Sequence, residues 1–420
     1  MSRRSRLLVG AAVVAAAMVL ATRAGDAHKP ITSKYTYNDD VFPILRDKCS
    51  RCHVDGGVAP MSLTTYEEAF PWAESIRAEL IASHMPPWNA DDGFGAFKHS
   101  MLLTPKELDI ILTWATGGNP RGRLDQQLPK IVLQNDWAIG LPDVKLVLPE
   151  FEIAADRMDD THEVTIASGV KEARWVRAVD LLPGTPSVVR SAIIAVKGAT
   201  DSAFGPEQVL GRWLPGQQPE SIDHDGAAFR LPANAELMVR VHYKKNWQFE
   251  GKPMKDMSAI GLYFAPEKPT QELLVVSVAA PASATPADQR LTFSQTIDQD
   301  VQALAVSPVQ VPPNITLQAE AILPDGTRTP IIRLITRADW ARRYWFEKPI
   351  AMPRGTKIEV VANLEDPDLL SAAFSVSGSA RPAPPPLPMR LSLNVIPAQG
   401  SHSARNAVTG STPTARRAGR

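Results

Sequence analysis

The run Cys49-Ser50-Arg51-Cys52-His53 constrains this chain more than any other stretch. Two thiols three positions apart, with an imidazole directly after the second, can bond covalently to the two vinyl groups of a haem and give its iron one axial nitrogen. They are the only two cysteines among 420 residues. A redox Cys-x-x-Cys pair belongs in a βαβ setting, and a zinc site needs more thiol or imidazole ligands than stand nearby. A plain disulfide between the two is the bland alternative.

The chain opens with Arg3, Arg4 and Arg6, an apolar run from Leu7 to Leu20, and small residues at Ala21, Ala24, Gly25 and Ala27. This pattern predicts a signal peptide over 1–27, with an uncleaved N-terminal anchor as the alternative. The formal charge is zero overall. Four Arg and one Asp in the leader, and four Arg without an acid in the last twenty residues, leave the body seven charges negative. That balance argues against a nucleic-acid partner.

The residues around the motif read as helices. Asp40 is placed to cap a short helix through Val41, Phe42, Ile44 and Leu45, with Pro43 harmless in its first turn. A loop with Gly56-Gly57 and Ala59-Pro60 follows, in which a carbonyl near Pro60 is expected to accept the Nδ1 proton of His53. Thr64-Thr65-Tyr66-Glu67 reads as a capping box, and Trp72, Ile76 and Leu80 recur on one face after the interruption at Pro71. That helix stops at His84-Met85-Pro86-Pro87-Trp88. Pro86 forces Met85 into extended backbone, so its thioether loses little freedom on meeting iron. Met85 is the expected sixth ligand, against Met61, His84, His99, Met101 or an open position. Thr104, Pro105, Glu107 and Gly117-Gly118 bracket a last helix with Leu108, Ile111, Leu112 and Ala115 on one stripe. Trp72, Trp88 and Trp114 read as walls of a haem pocket or as ordinary core.

Over 35–122 the Cys-x-x-Cys-His run, the late Met-Pro-Pro and the closing helix resemble a class I c-type cytochrome. The resemblance implies one covalent haem c on Cys49 and Cys52, axial ligation by His53 and Met85, and single-electron transfer. In that family haem is attached outside the bacterial cytoplasm, which agrees with the export leader and implies the periplasm. Membrane association would come through an uncleaved leader or through a respiratory or oxidase complex.

After a linker at 123–137 the period changes. Short runs such as Val144 to Leu148, His162 to Ile166, Val188 to Val196, Leu237 to Tyr243, Leu317 to Ile322 and Ile358 to Val361 alternate with Pro and Gly turns. The expected fold is multidomain α plus all-β. A small helical cytochrome c domain at 35–122 precedes two tandem antiparallel β-sandwich (jelly-roll) domains at 138–285 and 286–378. The tail, 379–420, is Pro-rich and then Arg-rich without apolar periodicity and reads as disordered.

A cytochrome followed by Trp137-Ala138-Ile139-Gly140-Leu141-Pro142-Asp143 is similar to bacterial fusions with a copper type II, ascorbate-dependent monooxygenase-like module. That module is related to peptidylglycine hydroxylating monooxygenases, with two jelly rolls and two coppers. Its Val-His-Tyr copper histidine matches Val241-His242-Tyr243, so His242 is a possible copper ligand. Its His-His pair falls on Val188-Val189-Arg190-Ser191-Ala192, which has no histidine, and the chain has none between Tyr243 and Gly400. His162 and His224 stand outside the family's pattern. Copper is not expected, because such a site needs imidazoles. The reading is an exported mono-haem cytochrome whose β module docks an unidentified redox partner protein. A copper-dependent hydroxylating monooxygenase and a haem-based sensor are the alternatives.

Overall fold

The computed structural model describes residues 32–197, 209–222, 226–340, 342–364 and 389–398. The leader, His224 and most of the tail lie outside them. The chain divides into two compact units. One holds the described residues to Ser50, then Met61–Pro86 and Leu103–Ile131; the other holds Arg51–Pro60, Pro87–Leu102 and the chain from Val132 onward.

The first unit is helical where it is regular. Wide turns at Tyr37–Val41 and Leu45–Cys49 flank one tighter turn at Phe42–Ile44, so winding is continuous from Tyr37 to Cys49. It begins earlier than the expected cap at Asp40. Thr36 is the cap: its hydroxyl accepts from the Asp39 N–H, and the Asp40 carboxylate reaches back to accept from the Thr36 N–H at 2.8 Å. The next cap lies one residue after its expected place, with Thr65 and Glu68 forming the reciprocal box ahead of Tyr66–Ala69. Pro71 falls in a 3-10 turn, Phe70–Trp72, before Ala73–Ile81. Pro105–Thr116 has the predicted Thr104 and Glu107 box and ends at Gly117. Tyr37, Phe42, Leu45, Ile111 and Trp114 form its core, with the Tyr37 hydroxyl donating to the Leu63 carbonyl at 3.0 Å.

The second unit is β. One sheet runs Val144–Val147, Ala259–Phe264, Arg174–Leu182, Ala227–Leu231 and Gln271–Glu272, and another runs Asp159–Ala167, Glu236–Lys244, Val189–Val196 and Val209–Trp213. Val176, Leu181 and Leu262 from the first share one core with Ile194, Val239 and Val241 from the second. The segment after the linker lies on the first sheet: Tyr263 Oη donates to the Gly140 carbonyl at 2.7 Å, and the Phe264 N–H to the Asp143 carboxylate at 2.7 Å. Gly261 permits this, since a Cβ there would stand 2.9 Å from the Trp137 ring.

A further pair of four-stranded sheets encloses Val306, Leu317, Ile331, Val360 and Leu393. One is ordered Leu274–Ala279, Arg390–Pro397, Val301–Gln310, Tyr344–Met352; the other Arg290–Thr296, Lys357–Asn363, Thr316–Ile322, Arg328–Ile335. Two pairs of sheets, each over one apolar core, are consistent with β-sandwich domains.

Three segments differ from their expected places. Arg390–Pro397, inside the tail expected to be disordered, is a central strand between Leu274–Ala279 and Val301–Gln310. Leu274–Ala279, expected in the first β domain, therefore belongs to the later sheet. Pro87–Leu102, expected within a cytochrome domain, packs with the β unit: Trp88, Ala90 and Phe97 are buried in the later core, with bridges Ala90 to Leu334 and Phe97 to Phe346. No described helix is long and apolar enough to cross a membrane.

Candidate functional site

Cys49 ends the winding that starts at Tyr37, and the Ser50 N–H closes it by donating to the Leu45 carbonyl at 2.8 Å. Cys52 and His53 stand in the tight loop that follows. There the Ala59 N–H donates to the Cys52 carbonyl at 3.2 Å and the Gly57 N–H to the Val54 carbonyl at 2.9 Å. Gly57 has no room for a side chain, because a Cβ would stand 2.5 Å from the Cys52 carbonyl oxygen. Loop 51–60 is fixed to its own unit by Arg51 Nη1, donating to the Gly216 carbonyl at 3.1 Å, and by Gln248 Nε2, donating to the Pro60 carbonyl at 2.9 Å.

No disulfide joins Cys49 and Cys52. The Cys52 sulfur points to the Pro215 carbonyl at 3.6 Å and lies beside the backbone of Gly216, where a Cβ would come within 3.1 Å of it. Burial pushes the thiol up to about 11, against the opposing pull of the Arg190, Arg342 and Arg51 guanidiniums. It is therefore a protonated thiol at neutral pH.

Met85 follows the helix Ala73–Ile81. Ser83 turns left-handed at φ 54, and the His84 and Met85 N–H groups both donate to the Glu79 carbonyl, at 2.9 and 3.3 Å. The thioether side chain is half-buried. Each rival has other company. His84 Nδ1 lies 3.0 Å from the Glu79 carboxylate, Met61 packs on the helical core, and Met101 Sδ accepts from Arg342 Nη1 at 3.6 Å. His99 borders a cavity of the β unit. Of the tryptophans, Trp114 is buried in the helical core, Trp72 packs against it, and Trp88 belongs to the later β core.

His242 sits on Glu236–Lys244, where its Nε2 donates to the Asp159 carboxylate at 2.8 Å. His162 stacks on Phe151 at 4.2 Å. The strand expected to carry a histidine pair presents Arg190 instead, its guanidinium 5.9 Å from the Trp340 ring. Among the described residues no three His, Cys, Asp or Glu side chains are grouped to hold a metal.

A further cluster was not anticipated. Arg212, Arg342 and Arg343 are all buried, and the one carboxylate with them among the described residues is Glu220, whose Oε2 lies 2.9 Å from Arg343 Nη1. Burial raises Glu220 above its ordinary range and lowers Arg212 to about 10. The only signal in the sequence is the doublet Arg342-Arg343 set among Trp340, Tyr344 and Trp345 within an apolar strand region.

Cys49 and Cys52, directly before His53, carry the donor types that a covalently held porphyrin uses. Both sulfurs are thiols, the form from which thioethers are made, and an imidazole follows directly. The Nε–H groups of Arg190 and Arg342, two of the cations acting on Cys52, are buried without an acceptor.

No known family profile matches the chain, and neither does any curated protein. Among solved structures, an allantoicase is 10% identical over 50% of this chain and 77% of its own, with a TM-score of 0.17. The infectious bursal disease virus Gx strain structure is 12% identical over 63% and 76%, with a TM-score of 0.17. A Paenibacillus xanthan lyase is 10% identical over 61% and 25%, with a TM-score of 0.14. Likenesses this weak carry no argument about fold or function.

Proposed function

We propose that this chain is an exported mono-haem c-type cytochrome that transfers single electrons, joined to a β module of the copper monooxygenase-like type that works without copper. One observation carries the reading: the only two cysteines of the chain stand as Cys49-x-x-Cys52 directly before His53. Haem, when bound, supplies one-electron ferric and ferrous chemistry. Cys49 and Cys52 give the sulfurs for two thioethers, formed by adding S–H across vinyl groups without an oxidant. His53 supplies a nitrogen donor. Met85, stiffened by Pro86 and Pro87, supplies a soft sulfur that favours the reduced state. The β module docks a redox partner protein, because its fold is kept while the family's imidazoles are absent.

The test is maturation of the full chain in a host that attaches haem c, followed by denaturing extraction. Haem that stays with the polypeptide, and is lost in Cys49→Ala/Cys52→Ala, supports the reading. Pigment released by acid, or none at all, sinks it. Met85→Ala should abolish the weak red-end sulfur-to-iron band and leave the haem attached. Copper at one or two equivalents per haem, lost in His242→Ala, would instead favour the monooxygenase.

A further inference from the structure

The β unit holds a charge imbalance that nothing in its own described residues corrects. Arg212, Arg342 and Arg343 are 7%, 3% and 4% exposed, and Glu220 is the single acid among them. Buried guanidiniums are retained only when they are paired, because desolvating an unpaired charge costs several kcal/mol. Arg343 pairs through Nη1 with Glu220 and donates from Nη2 to the Val209 carbonyl at 2.9 Å, which leaves its Nε unused. Arg342 lies over the Trp88 ring at 5.0 Å and donates to the Pro87 carbonyl and the Met101 sulfur, neither of which is charged. Two positive charges are left over.

The unused donors gather at one place. A cavity of about 40 Å³ is bordered by Trp88, Gln217, Glu220, Arg342, Arg343 and Trp345. Arg342 Nε, Arg343 Nε and Trp345 Nε1 are all buried N–H groups without an acceptor, beside the Gln217 Oε1 and Glu220 Oε1 acceptors, which are without a donor. A single water needs on the order of 10–15 Å³ measured in this way, so there is room for a carboxylate head. Lys98 adds a further cation at the rim. Gln217 ties the cavity to the proposed haem motif, since Pro215 and Gly216, just before it, are the residues that touch the Cys52 sulfur.

We propose that this cavity binds a carboxylate-type anion, held by Arg342 and the indole N–H of Trp345. Arg342 and Arg343 against Glu220 leave this cavity one buried positive charge, which matches one propionate of a haem carried by Cys52, a source that rests on the haem reading; a free carboxylate is the other source.

The full chain decides between them, as wild type, Arg342→Gln and Trp345→Phe. The second variant keeps the ring and removes one N–H, so it remains informative if the first misfolds. With propionate as the ligand, both variants keep their haem while its midpoint potential falls. Loss of the cation lowers the reduction equilibrium constant about tenfold in Arg342→Gln, which is about 59 mV for one electron. Sodium acetate then leaves the Tm of the haem-loaded chain unmoved. With a free anion as the ligand, acetate raises the Tm of wild type and of Cys49→Ala/Cys52→Ala alike, and Arg342→Gln or Trp345→Phe abolishes the rise. A potential changed less than twofold in equilibrium constant in both variants, together with no acetate effect on the haem-free chain, overturns the proposal. A chain that never carries haem refutes the cytochrome reading and leaves the acetate arm to judge the cavity.

Discussion

The buried cluster makes a stability prediction in which two neighbouring substitutions act in opposite directions. A guanidinium displaced from its ordinary 12.5 to about 10 is disfavoured in the folded state by roughly 3 kcal/mol. The leading cause at Arg212 is burial, with repulsion from Arg343 next and attraction by Glu220 opposing both. The group is a base with a depressed folded value. The unfolded chain therefore holds more protons between pH 10 and 12.5, so stability rises with pH across that window and the whole penalty is present at pH 7. Arg212→Met keeps most of the stem volume, at about 1 kcal/mol of repacking, and removes the penalty. It should be neutral or stabilising by up to about 2 kcal/mol. Glu220→Gln removes the only acid among the described residues that faces the three buried cations and should cost about 3–5 kcal/mol. Urea unfolding of the full chain at neutral pH, followed by tryptophan fluorescence, places the two midpoints on opposite sides of wild type or nearly so. Equal losses in both variants, or a larger loss in Arg212→Met, would show that the cluster is not short of negative charge, and the argument for an anion in the adjoining cavity would go with it.

Other consequences follow from single contacts. In haem-free protein at pH 8, a thiol raised to about 11 is roughly one part in a thousand thiolate. Cys52 should therefore alkylate about 100-fold more slowly than an ordinary exposed thiol, and mass spectrometry of partly labelled protein reads this directly. Because that folded value lies above the unfolded one, its contribution to stability is full below about pH 9 and is lost as pH rises through 11. Tyr243→Phe removes one donor from the buried Asp256 carboxylate, which Tyr243 Oη reaches at 3.0 Å and Ser258 Oγ at 2.7 Å; the denaturant midpoint should fall by the equivalent of about 1.5–3 kcal/mol. Gly57→Ala drives a methyl against the Cys52 and Val54 carbonyls, so covalent haem yield per folded chain should drop while far-UV dichroism is unchanged.

What could be read from the residues was mostly local. The boxes before Tyr66–Ala69 and Pro105–Thr116 are written in Thr and Glu three apart, and the second was placed to the residue. At Thr64-Thr65-Tyr66-Glu67-Glu68 two overlapping boxes compete, and Glu68 wins because its carboxylate also accepts the Ser62 and Thr64 hydroxyls, at 2.7 and 3.1 Å. The strand Arg390–Pro397 was hidden by the proline-rich run before it, although Leu391, Leu393 and Val395 alternate as a strand requires. Both its neighbours lie far away in sequence, at Leu274–Ala279 and Val301–Gln310, so no local signal announces the pairing. The buried arginines were illegible for a related reason. A charged doublet ordinarily marks a solvated face. Only the tertiary fold shows that Arg342 and Arg343 point inward.

The interruptions in the helical stretch carry a consequence for how the β module relates to the proposed chemistry. Periodicity reads 35–122 as one domain, because helices at either end of Pro87–Leu102 share a period that a loop does not disturb. Yet Trp88 and Phe97 are 7% exposed each and stack edge-on or obliquely with Tyr344, at 5.2 and 5.4 Å, inside the later β core. Asp91 adds an ion pair with Arg333, and the Asp91 and Lys98 N–H groups donate to carbonyls of Arg333 and Trp345, each at 2.8 Å. Loop 51–60, with Cys52 and His53, is likewise tied to Gly216 and Gln248. Burial of two such aromatic side chains is worth several kcal/mol, comparable to the net stability of a whole domain. A module that only tethered an electron carrier to a partner would not need to contribute the packing around the thiol and imidazole that are to hold the haem. These contacts show that loop 51–60, with Cys52 and His53 of the Cys-x-x-Cys-His run, folds on the β sheets and not apart from them.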